Sequence, residues 1–199
     1  MDISFILKSV ILQLVVFSFI PFLYWLICQR KTQPFFRYLG LYRLKRKGTA
    51  KSIVIFFCIY IVVYGIVHFT SISELTQPSA NIFSGMGIAA VIPALLVSFV
   101  QQALAEEILF RGFIGKRLIS RFGLNSGNII QASIFGFSHV VFSISEGTHL
   151  IGYVIIFLST MLGGLLLGYL DEKTFNGSII PSILLHGFGN FIMVLSVAF

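Results

Sequence analysis

The sequence predicts an all-α integral membrane protein, a polytopic bundle of about six transmembrane helices around a polar cavity inside the membrane. Its 199 residues are 57% hydrophobic and 11% charged, with a mean hydropathy of +0.96, whereas soluble domains carry about 25% charged residues. Six stretches are apolar and of the order of 20 residues, the length that crosses a bilayer. A few ionisable side chains nevertheless lie inside these stretches, where such groups are costly and commonly mark function.

The predicted spans follow one another along a single membrane domain, residues 1–199. The first is expected to bend at Pro21. Its apolar stretch is too long for the apolar region of a cleaved signal peptide. The third runs from Gly85 past Pro93 and through a pair of glutamates, and the fourth is short and carries polar residues. The first, second, fourth, fifth and sixth spans cover residues 10–28, 53–69, 129–144, 150–170 and 179–199.

The basic residues predict the topology. Of the 14 lysines and arginines, all but Lys8 and Arg111 follow the first, third or fifth span, and the loop 29–51 holds the largest group. Cytoplasmic loops are enriched in such residues. We therefore expect a cell-membrane protein with both termini outside and loop 29–51 in the cytoplasm. The basic charge is expected to face anionic lipid, with no nucleic acid as a partner.

A pair of adjacent glutamates carries the strongest chemical signal. Glu106, Glu107 and Arg111 lie in the apolar stretch "ALAEEILFRGFIG". Glu107 and Arg111 are four residues apart, so they share one helix face and can neutralise each other. Glu106 points about 100° away from that face. One glutamate is thus predicted to be structural and the other to be available as a general base.

Two further spans bring polar groups to a similar depth. "FGFSH" places Phe135 one turn before His139, where the ring can form a wall of the site. "HGFGN" places His186 and Asn190 on one helix face, with glycines expected to leave room beside them. A histidine and an asparagine can both donate hydrogen bonds to a developing oxyanion.

Several alternatives compete with catalysis. The polar groups could serve helix packing or a proton-coupled transporter, although a short chain without repeats disfavours a transporter. A Ser–His–Asp set is excluded on the expectation that no aspartate lies in the membrane. Zinc could be held by Glu106, His139 and His186, because catalytic zinc takes three such ligands and a water. Cys28 and Cys58 have no paired spacing, so neither a disulfide nor a metal role is expected of them.

The three motifs together resemble a known family. E-E-x-x-x-R, F-x-x-x-H and H-x-x-x-N, in this order and each in a membrane span, are typical of the CAAX prenyl endoprotease type 2 and bacteriocin-processing proteins (the CPBP or Abi family). The resemblance covers about half of the chain, from Gly85 to Asn190. It implies that residues 85–199 form the catalytic core, whereas residues 1–84 carry no motif.

The resemblance also implies an activity, that of an intramembrane endopeptidase. Glu106 would be the general base and His139 would help to hold the attacking water. His186 and Asn190 would stabilise the oxyanion, and Glu107 with Arg111 would support the site. No cofactor is required in the preferred prediction, with zinc as the alternative. The substrate would be a peptide or protein, such as a membrane-associated or bacteriocin-like peptide, and the alternative function is a non-catalytic or bacteriocin self-immunity protein.

Overall fold

The computed structural model describes residues 3–44, 54–55, 57–58, 61–62, 82–144 and 149–199. These residues form helices and no strands, so the predicted all-α class is confirmed for them. Six helices, α1 to α6, can be followed along the chain. Most of the predicted span 53–69 lies outside the described residues, and so does most of the outer loop 71–84 that the predicted topology places after it. The helices are α1 (Ile3–Tyr24, continued by a π-helical turn Trp25–Gln29), α2 (Phe35–Leu39), α3 (Gly87–Phe122), α4 (Leu124–Ser143), α5 (Leu150–Thr174) and α6 (Ile180–Ala198).

Four of the described helices are long and apolar enough to cross a membrane: α1, α3, α5 and α6. Helix α4 is a continuous helix as predicted. It begins at Leu124, so Asn125 lies inside it. The break between α3 and α4 is at Gly123, whose φ of 79° is a left-handed value that favours glycine.

Helix α6 is the centre of the bundle and α1 lies at its edge. Half of the membrane-length window of α6 is buried, against 11% for α1. Val194 and Ala198 of α6 pack against Ala94 and Val97 of α3 in the main apolar cluster. Helix α1 contributes Ile6 to this cluster and exposes a row of large apolar side chains, as a lipid-facing helix does.

Helices α4 and α5 pack closely through small residues. A side chain at Gly164 would press on Ala132 and Phe135, and one at Gly168 would collide with Asn128. Asn128 donates a hydrogen bond to the Leu165 carbonyl at 2.9 Å. Gly164 and Gly168, spaced as G-x-x-x-G, thus form a helix contact.

The segment after α2 is tied to the turn between α5 and α6. The Tyr42 hydroxyl donates to the Asn176 carbonyl at 2.6 Å, and the Ser178 hydroxyl donates to the Tyr42 carbonyl at 3.0 Å. Burial raises the pKa of Tyr42, which keeps this hydroxyl protonated as a donor. The Ile179 N–H donates to the Gly40 carbonyl at 3.1 Å. These bonds hold the segment against the membrane end where the basic residues of α3 lie.

Labelling with a membrane-impermeant thiol reagent tests the topology, which stays a prediction. In a variant without Cys28 and Cys58, Thr32→Cys should remain unlabelled in intact cells and react after permeabilisation. Ser73→Cys is the matched position on the opposite predicted side and should react at once. Labelling of Thr32→Cys in intact cells would reverse the orientation.

Candidate active site

Helix α3 presents the two glutamates from a short α-helical segment, Ala105–Glu107, between two π-helical stretches. These stretches are Leu96–Leu104 and Ile108–Gly115. A π-helical turn is wider than an α-helical turn and is frequent at functional sites. Here the widened turns lie on both sides of the carboxylates and place both on the inner side of the bundle.

Glu107 and Arg111 form the ion pair that their spacing predicts. Nη1 of Arg111 lies 3.1 Å from Oε1 of Glu107, and the two side chains are 2% and 0% exposed. The Arg111 guanidinium also lies over the ring of Phe135, 4.0 Å from its centre. Neither side chain is open to water, so this glutamate is a structural partner rather than a base for external water.

His186 binds the same carboxylate. Its Nδ1 lies 2.8 Å from Oε1 of Glu107. An ionised carboxylate only accepts hydrogen bonds, so Nδ1 is the donor and carries the proton. The ring is therefore oriented by α3, and its Nε2 is directed toward the other glutamate.

Glu106 faces both imidazoles. Its Oε2 lies 3.8 Å from Nε2 of His139 and 3.9 Å from Nε2 of His186. Both separations are too long for a direct hydrogen bond and suit two groups that share one water. Oε2 accepts no hydrogen bond from the described residues. The side chain of Glu106 is 14% exposed and that of His139 25%, whereas Oε2 of Glu106 is itself buried.

The tautomer of His139 follows from its own helix. Nδ1 lies 3.0 Å from the Phe135 carbonyl, which can only accept, so Nδ1 carries the proton. In the neutral ring Nε2 is then an acceptor that faces Glu106. Two acceptors directed at one small space are the arrangement that removes a proton from a water molecule.

Aromatic rings enclose the site. Phe135 lies 4.4 Å from the His139 ring and 6.2 Å from the His186 ring, centre to centre, so it forms the expected wall. We expected open space beside His186 at Gly187, but the Phe99 ring of α3 packs directly against this glycine. Asn190 is buried one turn beyond His186 on α6.

One buried acid was missed by the sequence analysis. Asp171 lies inside the membrane-length helix α5, beyond the predicted end of that span at Leu170, and is 1% exposed. The apolar run ends at Leu170, but the helix continues to Thr174 in a π-helical turn. A signal was available: Gly164, Gly168 and Asp171 follow at i, i+4 and i+7, which places Asp171 on the small-residue face that packs against α4.

The described part of the chain contains no set of side chains arranged as zinc ligands. No group of three or more histidine, cysteine, aspartate or glutamate side chains is arranged there to hold a metal ion. The atoms of Glu106, His139 and His186 converge, but at the longer separations given above.

The comparison with known families agrees with the geometry. Residues 88–192, just over half of the chain, match the family model described as Rce1-like, type II CAAX prenyl endopeptidase. The chain belongs to this family. Its membership of the Rce1-like family makes the chain a membrane protease with a peptide substrate, in agreement with the resemblance seen in the motifs. No curated protein and no solved structure matches the chain.

The Rce1-like match contains all six predicted site residues. They come from three helices that are separated by long stretches of chain: α3 supplies three of them, α4 one and α6 two. The carboxylate and imidazole groups of α3, α4 and α6 meet inside the bundle.

Proposed function

We propose that this Rce1-like protein is an intramembrane endopeptidase that hydrolyses a peptide bond with a glutamate-activated water. One observation carries the proposal: Oε2 of Glu106 lies within 4 Å of Nε2 on both His139 and His186, inside a membrane-length bundle. The Glu107–Arg111 pair is buried, so Glu106 is the glutamate of the two that faces both Nε2 atoms.

In the proposed reaction a water lies between Glu106 and Nε2 of His139. Glu106 takes one proton of the water as the oxygen attacks the carbonyl carbon, which gives a tetrahedral intermediate with a negative oxygen. The C–N bond then breaks, and the proton on Glu106 passes to the leaving nitrogen. Atoms and charge balance without any further reagent.

The oxyanion would be held by α6. Nδ1 of His186 donates to Glu107, so Nε2 can donate only when the ring is an imidazolium. Asn190 would add an amide donor one turn further along the helix.

Proteolysis in detergent tests this proposal. The purified protein is incubated with a panel of peptides, prenylated and unprenylated, in water enriched in ¹⁸O, and the products are identified by mass spectrometry. We expect one ¹⁸O in each new carboxyl group with the native protein and no product with Glu106→Gln. A panel that stays uncut would favour the self-immunity alternative.

The metal content of the purified protein distinguishes the glutamate mechanism from the zinc alternative. We expect substoichiometric zinc in the active purified protein and unchanged turnover with 1,10-phenanthroline, because Glu106 and His139 activate the water without a metal. The measurement is elemental analysis together with turnover before and after the chelator. Stoichiometric zinc, and activity lost with the chelator and restored by Zn²⁺, would replace the glutamate mechanism with a metal one.

A further inference from the structure

Asp171 is a buried acid that the proposed mechanism does not use. Its Oδ1 accepts a hydrogen bond from the Ser182 N–H at 3.2 Å, which ties the end of α5 to the first turn of α6. Its Oδ2 accepts none from the described residues, and the side chain is almost completely buried. Burying a carboxylate oxygen without a partner is costly. The second oxygen is therefore left without a partner among the described residues.

A small cavity lies beside this oxygen. Its lining includes Arg111, Gln131 and Asp171. It offers about 10 Å³ to the centre of a water molecule, close to the ~10–15 Å³ that one buried water requires. The cavity lies on the α4–α5 side of Arg111, whereas the paired carboxylate of Glu107 belongs to α3.

The polar atoms around the cavity complement one water. Gln131 donates through Nε2 to Asn128 at 2.9 Å and to the Gly164 carbonyl at 3.1 Å, so its amide orientation is set and Oε1 is left as an acceptor. The guanidinium N–H groups of Arg111 make no hydrogen bond of good geometry with described residues. A water that donates to Asp171 and Gln131 and accepts from Arg111 makes three hydrogen bonds, the usual number for a buried water.

We infer that this cavity binds one structural water that links Asp171 to Arg111, and that Asp171 is a positioning residue for the active site. The inference rests on the function proposed above. The connection runs from Asp171 through the water to Arg111, from Arg111 to Glu107 at 3.1 Å, and from Glu107 to His186 at 2.8 Å. Asp171 thus fixes the far side of the guanidinium, and through it the carboxylate that orients His186.

A simpler role for Asp171 is to hold the start of α6 through the Ser182 N–H. Asp171→Asn separates the two roles, because asparagine keeps an oxygen for that N–H but replaces the oxygen that accepts from the water with an amide donor. The positioning role predicts a kcat at least about tenfold lower, with KM and melting temperature close to native. Native kcat in Asp171→Asn would overturn the positioning role.

A matched control and a direct structural measurement complete the test. Glu74→Gln makes the same carboxylate-to-amide change in the predicted outer loop, apart from every motif, and it should keep the native kcat. A high-resolution structure of the native protein should show a water within hydrogen-bond distance of Oδ2 of Asp171, Oε1 of Gln131 and a guanidinium nitrogen of Arg111. A cavity without that water would overturn the site itself. This measurement does not depend on activity, whereas failure of the proposed function would appear as full turnover in Glu106→Gln.

Discussion

Replacing Glu106 with glutamine is expected to lower proteolytic turnover by about 10²–10⁴-fold, the usual contribution of a general base. Glutamine has nearly the same shape and cannot accept the proton of the attacking water. The fold should be retained, because Oε2 of Glu106 accepts no hydrogen bond from the described residues. The measurements are kcat on a cleaved peptide and the melting temperature in detergent.

The same carboxylate-to-amide change at Glu74 is the control for this variant. Glu74 belongs to the predicted outer loop and to none of the three motifs, so its turnover should stay native. A Glu106→Gln protein that keeps near-native turnover would show that Glu106 is not the base. Unfolding of Glu106→Gln would instead assign a structural role to this residue.

Removing either member of the Glu107–Arg111 pair is expected to cause the largest loss of stability. Breaking a buried ion pair costs about 3–5 kcal/mol in soluble proteins, because the remaining charge stays buried without its partner. Glu107→Ala should cost at least as much as Arg111→Ala, since Glu107 also accepts the hydrogen bond from His186. Melting temperatures in detergent measure both effects.

The double variant distinguishes a pair from two independent residues. With both side chains gone, no orphan charge of the pair remains, so the double variant should be more stable than the sum of the single losses predicts. Glu106→Ala is the matched control on the neighbouring residue and should leave stability unchanged or raise it. A loss in Glu106→Ala equal to that in Glu107→Ala, without rescue in the double variant, would contradict the division into one structural and one catalytic carboxylate.

Features that depend on neighbouring residues in one helix were predictable from the sequence. The Glu107–Arg111 pair is one of them, because residues four apart meet on a helix face whatever the rest of the bundle does. The same holds for Phe135 beside His139. Mean hydropathy and the apolar stretches predicted the membrane bundle, since the bilayer imposes a length and a composition on each span.

Helix ends were predicted less well, because they depend on contacts outside the local sequence. Asp171 was assigned to a loop, since the apolar run ends one residue earlier, yet the helix continues to Thr174. Packing against α6, where the Ser182 N–H binds Asp171, outweighs the local polarity of "DEK". The expectation of open space at Gly187 was wrong for a similar reason, because the Phe99 ring that fills this space belongs to another helix.

The sequence by itself determined the class of the protein, the three motifs and which glutamate has a partner on its own helix. Only the tertiary structure decided that His186 binds Glu107 through Nδ1, that Glu106 faces two imidazoles, and that a cavity joins Arg111 to Asp171. The physical reason is that contacts along one helix follow from its fixed rise and rotation per residue, whereas contacts between helices depend on how each helix is rotated and shifted in depth. Those two quantities are set by packing over the whole bundle, and no short stretch of sequence contains them.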